Sequence, residues 1–369
     1  MKKKSSTRIL FITPFSPSSN HAGVVYTRQL LLELSKSCVV DLIYFRNYKE
    51  KSFYPQKNIN ILEEVLIGNF FKMLGVLSVL WVFPIFSARF SWGKYRMIDS
   101  LVQNNHYDYI YFDFSQTFAY SLFINHPQKI LMAHDVMAQK YSRMKTYFRF
   151  WAKWTEKKIL KTGIVFTFSD KDCAIISNLY HIQSTPTTFF LSKEVKLAMP
   201  TAIGDYFVFF GGWSRSENYE ALKWFVQKVN PLIPHIKYKI IGGGLPNSIN
   251  NLLPPNFEYL GFVVNPYPII ANAKAEIAPL RKGAGVKVKC IDALGCGTPV
   301  IGTEVAFEGI PSEFHGFLIL AETAKDYVNA IVNNNFNIVD RVMYKNFFLQ
   351  RYNKKTILKY ILGDKVDDV

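Results

Sequence analysis

Cysteine is scarce. The 369 residues hold four, Cys38, Cys173, Cys290 and Cys296, with no C-x-x-C pair. Thiols so few and scattered argue against a disulfide framework or a zinc site and suit a reducing compartment. Acidic side chains are also short in number, 28 against 44 Lys and Arg, which leaves a net charge of +16. That surplus attracts nucleic acid, anionic lipid and phosphorylated small molecules alike. The chain has no Walker A, G-x-S-x-G or H-E-x-x-H pattern. No G-x-G-x-x-G follows the first apolar segment, which speaks against a dinucleotide-dependent dehydrogenase. Met1-Lys2-Lys3-Lys4 leads into no signal-peptide core, because Ile9 to Thr13 is too short, and the chain reads as cytosolic. Uncharged runs stop short of the ~20 apolar residues that a spanning helix needs.

What is present is enough for a large core. Hydrophobic residues make up 49% and charged residues 20%, so disorder is not expected, and the length suits two domains. Apolar strands alternate with amphipathic helices. "RILFITPF", "VVDLIYF", "YDYIYFDF" and "KILMAHDVM" read as strands, and "GVVYTRQLLLELSK" and residues 138–161 as helices. The alternation pauses in the polar stretch Leu191–Asp205 and restarts with "YFVFFGG", "YKIIGGG", "FEYLGFV", "AEIAPLR" and "PVIGT". Two such series predict an α/β protein of two doubly wound, Rossmann-like domains. The stretch Phe70–Phe90, uncharged from Met73 to Ala88 and broken by Pro84, leaves two readings open. It forms buried helices, or an interfacial helix on the inner membrane leaflet aided by Lys72, Arg89, Lys94 and Arg96.

In open α/β sheets, ligands bind beyond the carboxyl ends of strands. "PLRKGAGVKVKCIDALGCGTPVIGT", Pro279–Thr303, is such a place. Gly283 and Gly285 let the backbone approach an anion, and the helix that follows offers free amides and a partial positive charge. Lys287 or Lys289 reaches a phosphate, Arg281 or Lys282 lies at the rim, and Asp292 accepts from a ribose diol. Gly211 and Gly212 before Arg215, the run Gly242–Gly244, and Gly261 close other strands. In the first half Gly23 and His21 follow the first strand. His134 and Asp135 follow another, with Arg143 and Lys145 on the next helix. Asp170-Lys171-Asp172 has the look of a metal-binding pair, but Ser169 or Asp170 reads better as a helix cap.

Together "VFFGGWSRSENYEALKWFVQKVNPLIP", "YKIIGGG", "YLGFV" and "PLRKGAGVKVKCIDALGCGTPVIGTEVAFEGIP" resemble the GT-B glycosyltransferases of family 4, in the glycosyl transferases group 1 superfamily. "ILFITPFSPSSNHAGVVYTRQLLLELS" and "AHDVMAQKYSR" resemble that family's acceptor-domain segments. The resemblance implies the GT-B fold, with two Rossmann-like domains facing a central cleft. Residues 1–195 would form the acceptor domain, 196–345 the donor domain, and 346–369 terminal helices returning to the first. It implies a retaining transfer from a nucleotide-diphosphate sugar to a glycan or lipid-linked acceptor in cell-surface polysaccharide assembly. No metal or other cofactor is implied, nor any specific nucleic acid. The location implied is the cytoplasm, with contact at the inner membrane surface left open.

Carried over by position, Gly212, Gly243, Gly283, Gly285 and Lys289 belong to the donor site, and Arg215 and Lys287 hold the diphosphate. Gly23 approaches it from the opposite domain, Asp292 binds the ribose, and Val263 and Val264 meet the base. His134 orients the acceptor or the sugar, and His134 and Lys287 are the residues expected to carry catalysis. One departure matters. The usual Glu-x7-Glu becomes Ala284 and Asp292, so the donor sugar must be held by amides around Ala284–Val286 or by another side chain. Two other readings stay open: a sugar-nucleotide epimerase of the same fold, which would convert donor without acceptor, and a non-enzymatic polyanion-binding protein.

Overall fold

The two apolar series become two parallel sheets. The structure is a computed structural model and describes residues 7–19, 22–142, 145–283, 285–333, 337–352 and 356–363. Contacts divide the chain into one unit of Met1–Phe190 with Lys355–Val369, and a second of Leu191–Lys354.

The first sheet holds β1 (Thr7–Thr13), β2 (Cys38–Arg46), β3 (Ile59–Leu66), β4 (Tyr109–Asp113), β5 (Lys129–Ala133), β6 (Ile164–Thr167) and β7 (Ser184–Pro186). The second holds β8 (Phe207–Phe210), β9 (Tyr238–Ile241), β10 (Phe257–Gly261), β11 (Glu276–Ala278), β12 (Val300–Gly302) and β13 (Leu318–Leu320). Their orders are β3-β2-β1-β4-β5-β6-β7 and β10-β9-β8-β11-β12-β13. Every strand pairing among the described residues is parallel. Central strands are buried on both faces, which is why β1 and β2 read as continuous apolar runs.

Both sheets run outward from a middle strand and then reverse. The reversal falls between β1 and β4 in the first unit and between β8 and β11 in the second. Loops leaving two such neighbours diverge to opposite faces, and the crevice between them is where open α/β sheets hold ligands.

Helices fill out each unit. The stretch Phe70–Phe90 forms two of them, Asn69–Ser78 and Pro84–Ser87. The helix expected over 138–161 is divided into Met137–Lys140 and Thr146–Leu160. Ser169 caps Asp170–Tyr180 by accepting the Asp172 amide, which gives the Asp-x-Asp pair its structural reason. Helix Ile338–Tyr352 stays with the second unit. Buried Arg341 donates to the carbonyls of Gly297, Ala273 and Ala271, and Lys345 donates to those of Val195 and Gly295. Only from Lys355 does the chain group with the first unit, where Tyr360 lies against Tyr109 and Phe166.

Candidate active site

In the second unit the switch point is lined by the exits of β8 and β11. Helix Val288–Gly295 begins just after β11 and buries Cys290, Ile291, Ala293 and Leu294. That apolar face fixes its direction. The Cys290 and Ile291 amides already donate to Lys287 O, at 2.9 and 3.3 Å, so the amides ahead of them lie outside the helical ladder. Lys287 is the N-cap residue and makes no side-chain cap. The far end is braced by cations. Lys345 Nζ is 2.8 Å from Gly295 O and Arg341 Nε 2.9 Å from Gly297 O, a placement that complements the helix dipole.

Around this N-terminus the loop bends through Gly283 (φ +124°) and Gly285 (φ +72°). Lys287 Nζ donates to Gly285 O and lies 3.5 Å from Glu308 Oε2, with both side chains mostly enclosed. Lys289 Nζ is 3.2 Å from Asn218 Oδ1, and Asn218 Nδ2 donates to Gly212 O at 2.8 Å. The exits of β8 and β11 are thereby tied together. The space above Gly212 is open. Arg215 starts helix Ser216–Lys228, is exposed, and sits 2.7 Å from Glu217. Gly242 (φ +119°) closes β9 so tightly that a Cβ there would stand 1.9 Å from Gly211 O. Gly243 O accepts the Trp213 amide at 3.0 Å, so β9 joins the same cluster.

The sequence-derived residues therefore separate into groups. Gly212, Arg215, Gly243, Gly283, Gly285, Lys287 and Lys289 gather at adjoining strand exits. Val286 is half-buried beside them, and Val263 lies beyond the end of β10. Asp292 sits one turn into the helix, within 3.4 Å of the Tyr267 hydroxyl, and burial pushes its carboxyl up to about 7. Arg281 and Lys282 turn elsewhere, Arg281 onto the Trp224 ring and Glu322 O, and Lys282 to Glu220. Ala284, His21 and Arg143 lie outside the described residues. Sequence reasoning missed Asn218 and Glu308, because their significance rests on pairing with distant lysines.

Glu276 was also missed. It opens β11, is fully buried, and neither carboxyl oxygen has a hydrogen-bond partner among the described residues. Burial pushes its carboxyl up to about 8, against the pull of Lys289. An unfolded chain releases carboxyl protons near pH ~4. The native state therefore holds more protons than the unfolded state from about pH 4 to pH 8, and stability falls as pH rises through that window. Glu276→Gln should flatten this slope. Relative to the parent, the variant should gain roughly 3 kcal/mol between pH 5 and pH 8, read from denaturant melts at both values. An equal slope in parent and variant would show that Glu276 ionises freely.

In the first unit a second cluster forms at the β1/β4 reversal. His134 Nε2 is 2.9 Å from Asp113 Oδ1. Asp113 closes β4, is fully buried, and also accepts from Thr13 (2.9 Å) and Thr27 (2.6 Å). An ionised carboxylate accepts only, so it sets the proton on Nε2 and leaves the Nδ1 lone pair available in the neutral ring. Phe114 stacks flat on His134 at 3.4 Å, and Tyr26 and Phe168 meet the ring edge-on. Phe114 holds φ +56°, ψ 153°, a region that costs a side-chain-bearing residue about 1–3 kcal/mol. Gly23 has a packing reason of its own. A Cβ there would lie 2.8 Å from the Phe114 ring and 3.1 Å from His134 Nδ1. A carboxylate ending an apolar strand, as in "YIYFD", was the sequence signal for Asp113.

Architecture and switch points define a GT-B protein. The chain is similar to sucrose-phosphate synthase from Thermosynechococcus elongatus, with TM-score 0.66 and 14% identity over 96% of this chain and 97% of that one. It is also similar to WaaG, a glycosyltransferase involved in lipopolysaccharide biosynthesis, with TM-score 0.67 and 12% identity over 96% and 100%. A third similar structure is Anabaena HepE in complex with UDP, with TM-score 0.64 and 14% identity over 96% and 98%. Residues 204–334, within the second unit, match the family model described as glycosyl transferases group 1. An uncharacterised 44.6 kDa protein in the cps region of Klebsiella pneumoniae is 25% identical over 180 residues. That match spans 42% of this chain and 45% of the Klebsiella protein, under half the length of each.

Proposed function

We propose that the protein moves a sugar from a nucleotide-diphosphate donor to a glycan or lipid-linked acceptor of cell-surface polysaccharide assembly, with retention at the anomeric carbon. The observation that carries this is the N-terminus of helix Val288–Gly295 at the β8/β11 reversal, flanked by Lys287 and Lys289. Breaking the sugar–phosphate bond builds negative charge on the leaving diphosphate. Preorganised amides and ammonium groups stabilise that charge, usually the largest contribution to such catalysis. Lys287, Lys289, Arg215 and the helix amides supply enough positive charge for a route without a metal. Asp292 accepts from the ribose, and Gly243 and Val263 border the base. Retention and the cell-surface acceptor are supported by the family resemblance. The named role of WaaG in lipopolysaccharide biosynthesis adds to the latter.

Glu308 answers the gap left at position 284. Its carboxylate is held beside Lys287 at the same strand exits, where the donor sugar would follow the diphosphate. It takes over the sugar hydroxyl that the usual glutamate would bind. Glu308→Gln should lower kcat/KM for the cognate donor roughly 10- to 100-fold, the worth of one charge-assisted hydrogen bond. Affinity for the nucleoside diphosphate alone, by calorimetry, should stay the same. Equal losses in both would place Glu308 with the phosphates instead.

His134, held by Asp113, presents Nδ1 in the first unit, where the resemblance puts the acceptor. The leaving phosphate oxygen takes the acceptor proton, so His134 orients rather than deprotonates. The deciding experiment screens nucleotide sugars for release of nucleoside diphosphate, with and without a lipid-linked glycan fraction. Release with the sugar appearing on the acceptor, its anomeric configuration unchanged, is the expected result. Conversion of donor without acceptor would make the protein an epimerase. Binding to polyanions with no nucleotide affinity would remove enzymatic function altogether.

A further inference from the structure

Helix Asn69–Ser78 lies with its apolar stripe facing outward. Phe70, Met73, Leu74 and Leu77 follow the i, i+3, i+4, i+7 spacing of one helical face, yet each is 46–68% exposed. The reason is Gly75, the buried residue of this helix. A Cβ there would stand 2.6 Å from Ser87 O and 2.7 Å from Phe90 O, so the bare glycine lets the helix rest on residues 87–90. That contact turns the opposite, apolar face to solvent.

A second stripe meets Trp81, three residues past the end of this helix. Helix Thr146–Leu160 exposes Tyr147, Phe150 and Trp154, and Trp154 meets exposed Trp81 edge-on at 6.1 Å. Trp151 Nε1 donates to Trp81 O at 2.9 Å and fixes the junction. Lys158 Nζ stands 4.1 Å from the Trp154 ring centroid. Apolar patches of this extent on a protein surface mark a partner.

Charge selects the partner. Residues 67–98 contain no Asp or Glu, and residues 136–169 contain Glu156 alone. Glu156 is buried, accepting from the Met137 and Ala138 amides and the Tyr180 hydroxyl. Lys72, Arg149, Lys153, Lys157 and Lys158 therefore stand on these two helices with no exposed carboxylate among them. Arg149 and Lys153 also line a shallow cavity of about 440 Å³ on the flank of helix Thr146–Leu160. A second copy meeting this face through itself would set like charges against one another. An anionic bilayer meets every feature. Leucine, methionine and phenylalanine enter the acyl boundary, tryptophans sit at headgroup depth, and lysine stems carry their charges to lipid phosphates.

We propose that this two-helix face docks the first unit onto an anionic membrane surface, with Arg149 and Lys153 receiving lipid phosphate. Docking is independent of the donor chemistry and is measured without nucleotide sugar, so its failure would leave that chemistry standing. The full chain is mixed with vesicles of phosphatidylcholine alone or with equimolar phosphatidylglycerol, and partition is read by flotation and tryptophan emission. Binding to the anionic vesicles should exceed that to the neutral ones by about tenfold or more, fall with salt, and shift the emission to the blue. Leu74→Glu with Leu77→Glu should reduce it by a similar factor, at an unchanged melting temperature because both side chains are exposed. Lys153→Glu with Lys157→Glu should remove the preference for anionic vesicles. Absence of vesicle binding, or equal binding by the variants, overturns the proposal. So does a dimer in sedimentation equilibrium that Leu74→Glu dissolves, which would assign the face to a second copy.

Discussion

Lys287→Ala is expected to lower kcat by a factor on the order of 100 to 1,000, the usual consequence of deleting one preorganised charge at a leaving group. The ammonium is already held against Gly285 O and Glu308, so it does not have to be ordered during the reaction. Its loss should appear in kcat more than in KM, because diphosphate charge is greatest in the transition state. Lys287→Arg should recover only part of the rate, since a planar guanidinium cannot take the short return path to Gly285 O. Removing Lys287 also leaves the Glu308 carboxylate without this ammonium. Lys287→Ala/Glu308→Gln therefore serves as the control in which that imbalance is absent. Steady-state rates with the cognate donor, alongside thermal melts, check the expectation. An unchanged kcat in both variants would remove Lys287 from the chemistry.

Asp113→Ala should be the most damaging single change to the first unit. The carboxylate is fully buried and accepts from Thr13, Thr27 and His134 at 2.6–2.9 Å. Truncation leaves Thr13 and His134 without this acceptor and Thr27 with only the Gly23 carbonyl at 3.2 Å, and breaking such a cluster costs about 3–5 kcal/mol. In a unit of this size the melting temperature should fall by roughly 10 °C. Asp113→Asn keeps the shape and one acceptor oxygen, so it should retain most of the stability. Its amide can face Nε2 as a donor and reverse the imidazole tautomer, and activity should still fall. That split between a folded protein and a poor enzyme separates a positioning role from a purely structural one. If Asp113→Asn kept full activity, the His134 tautomer would have no part in catalysis.

Much of the fold was readable because its determinants are local. β1, β2, β8 and β9 are short apolar runs with turn residues after them, and burial on both faces makes such runs conspicuous. β3 was not readable. It lies at the sheet edge and alternates exposure, with Glu63 paired to Lys94 and Glu64 to Arg46. β7 and β13 span three residues each, too few to show a period. The glycine and lysine loop at 283–289 was legible for the same local reason. What escaped were pairings across the chain. Asn218 meets Lys289 from 71 residues away, and Asp113 meets His134 from 21. Gly23 carries a second reason. A glycine at a strand exit suggests ligand approach, and the fold also uses the missing Cβ to seat Phe114 against His134.

Hydrogen exchange on the backbone amides of residues 285–290, with and without a nucleoside diphosphate, probes the phosphate cradle most directly. Amides ahead of the helical ladder should exchange quickly in the free protein and slow markedly on binding, and Lys287→Ala should weaken that protection. Nucleotide binding that leaves these amides exchanging at their free rates, with protection arising elsewhere, would contradict the account.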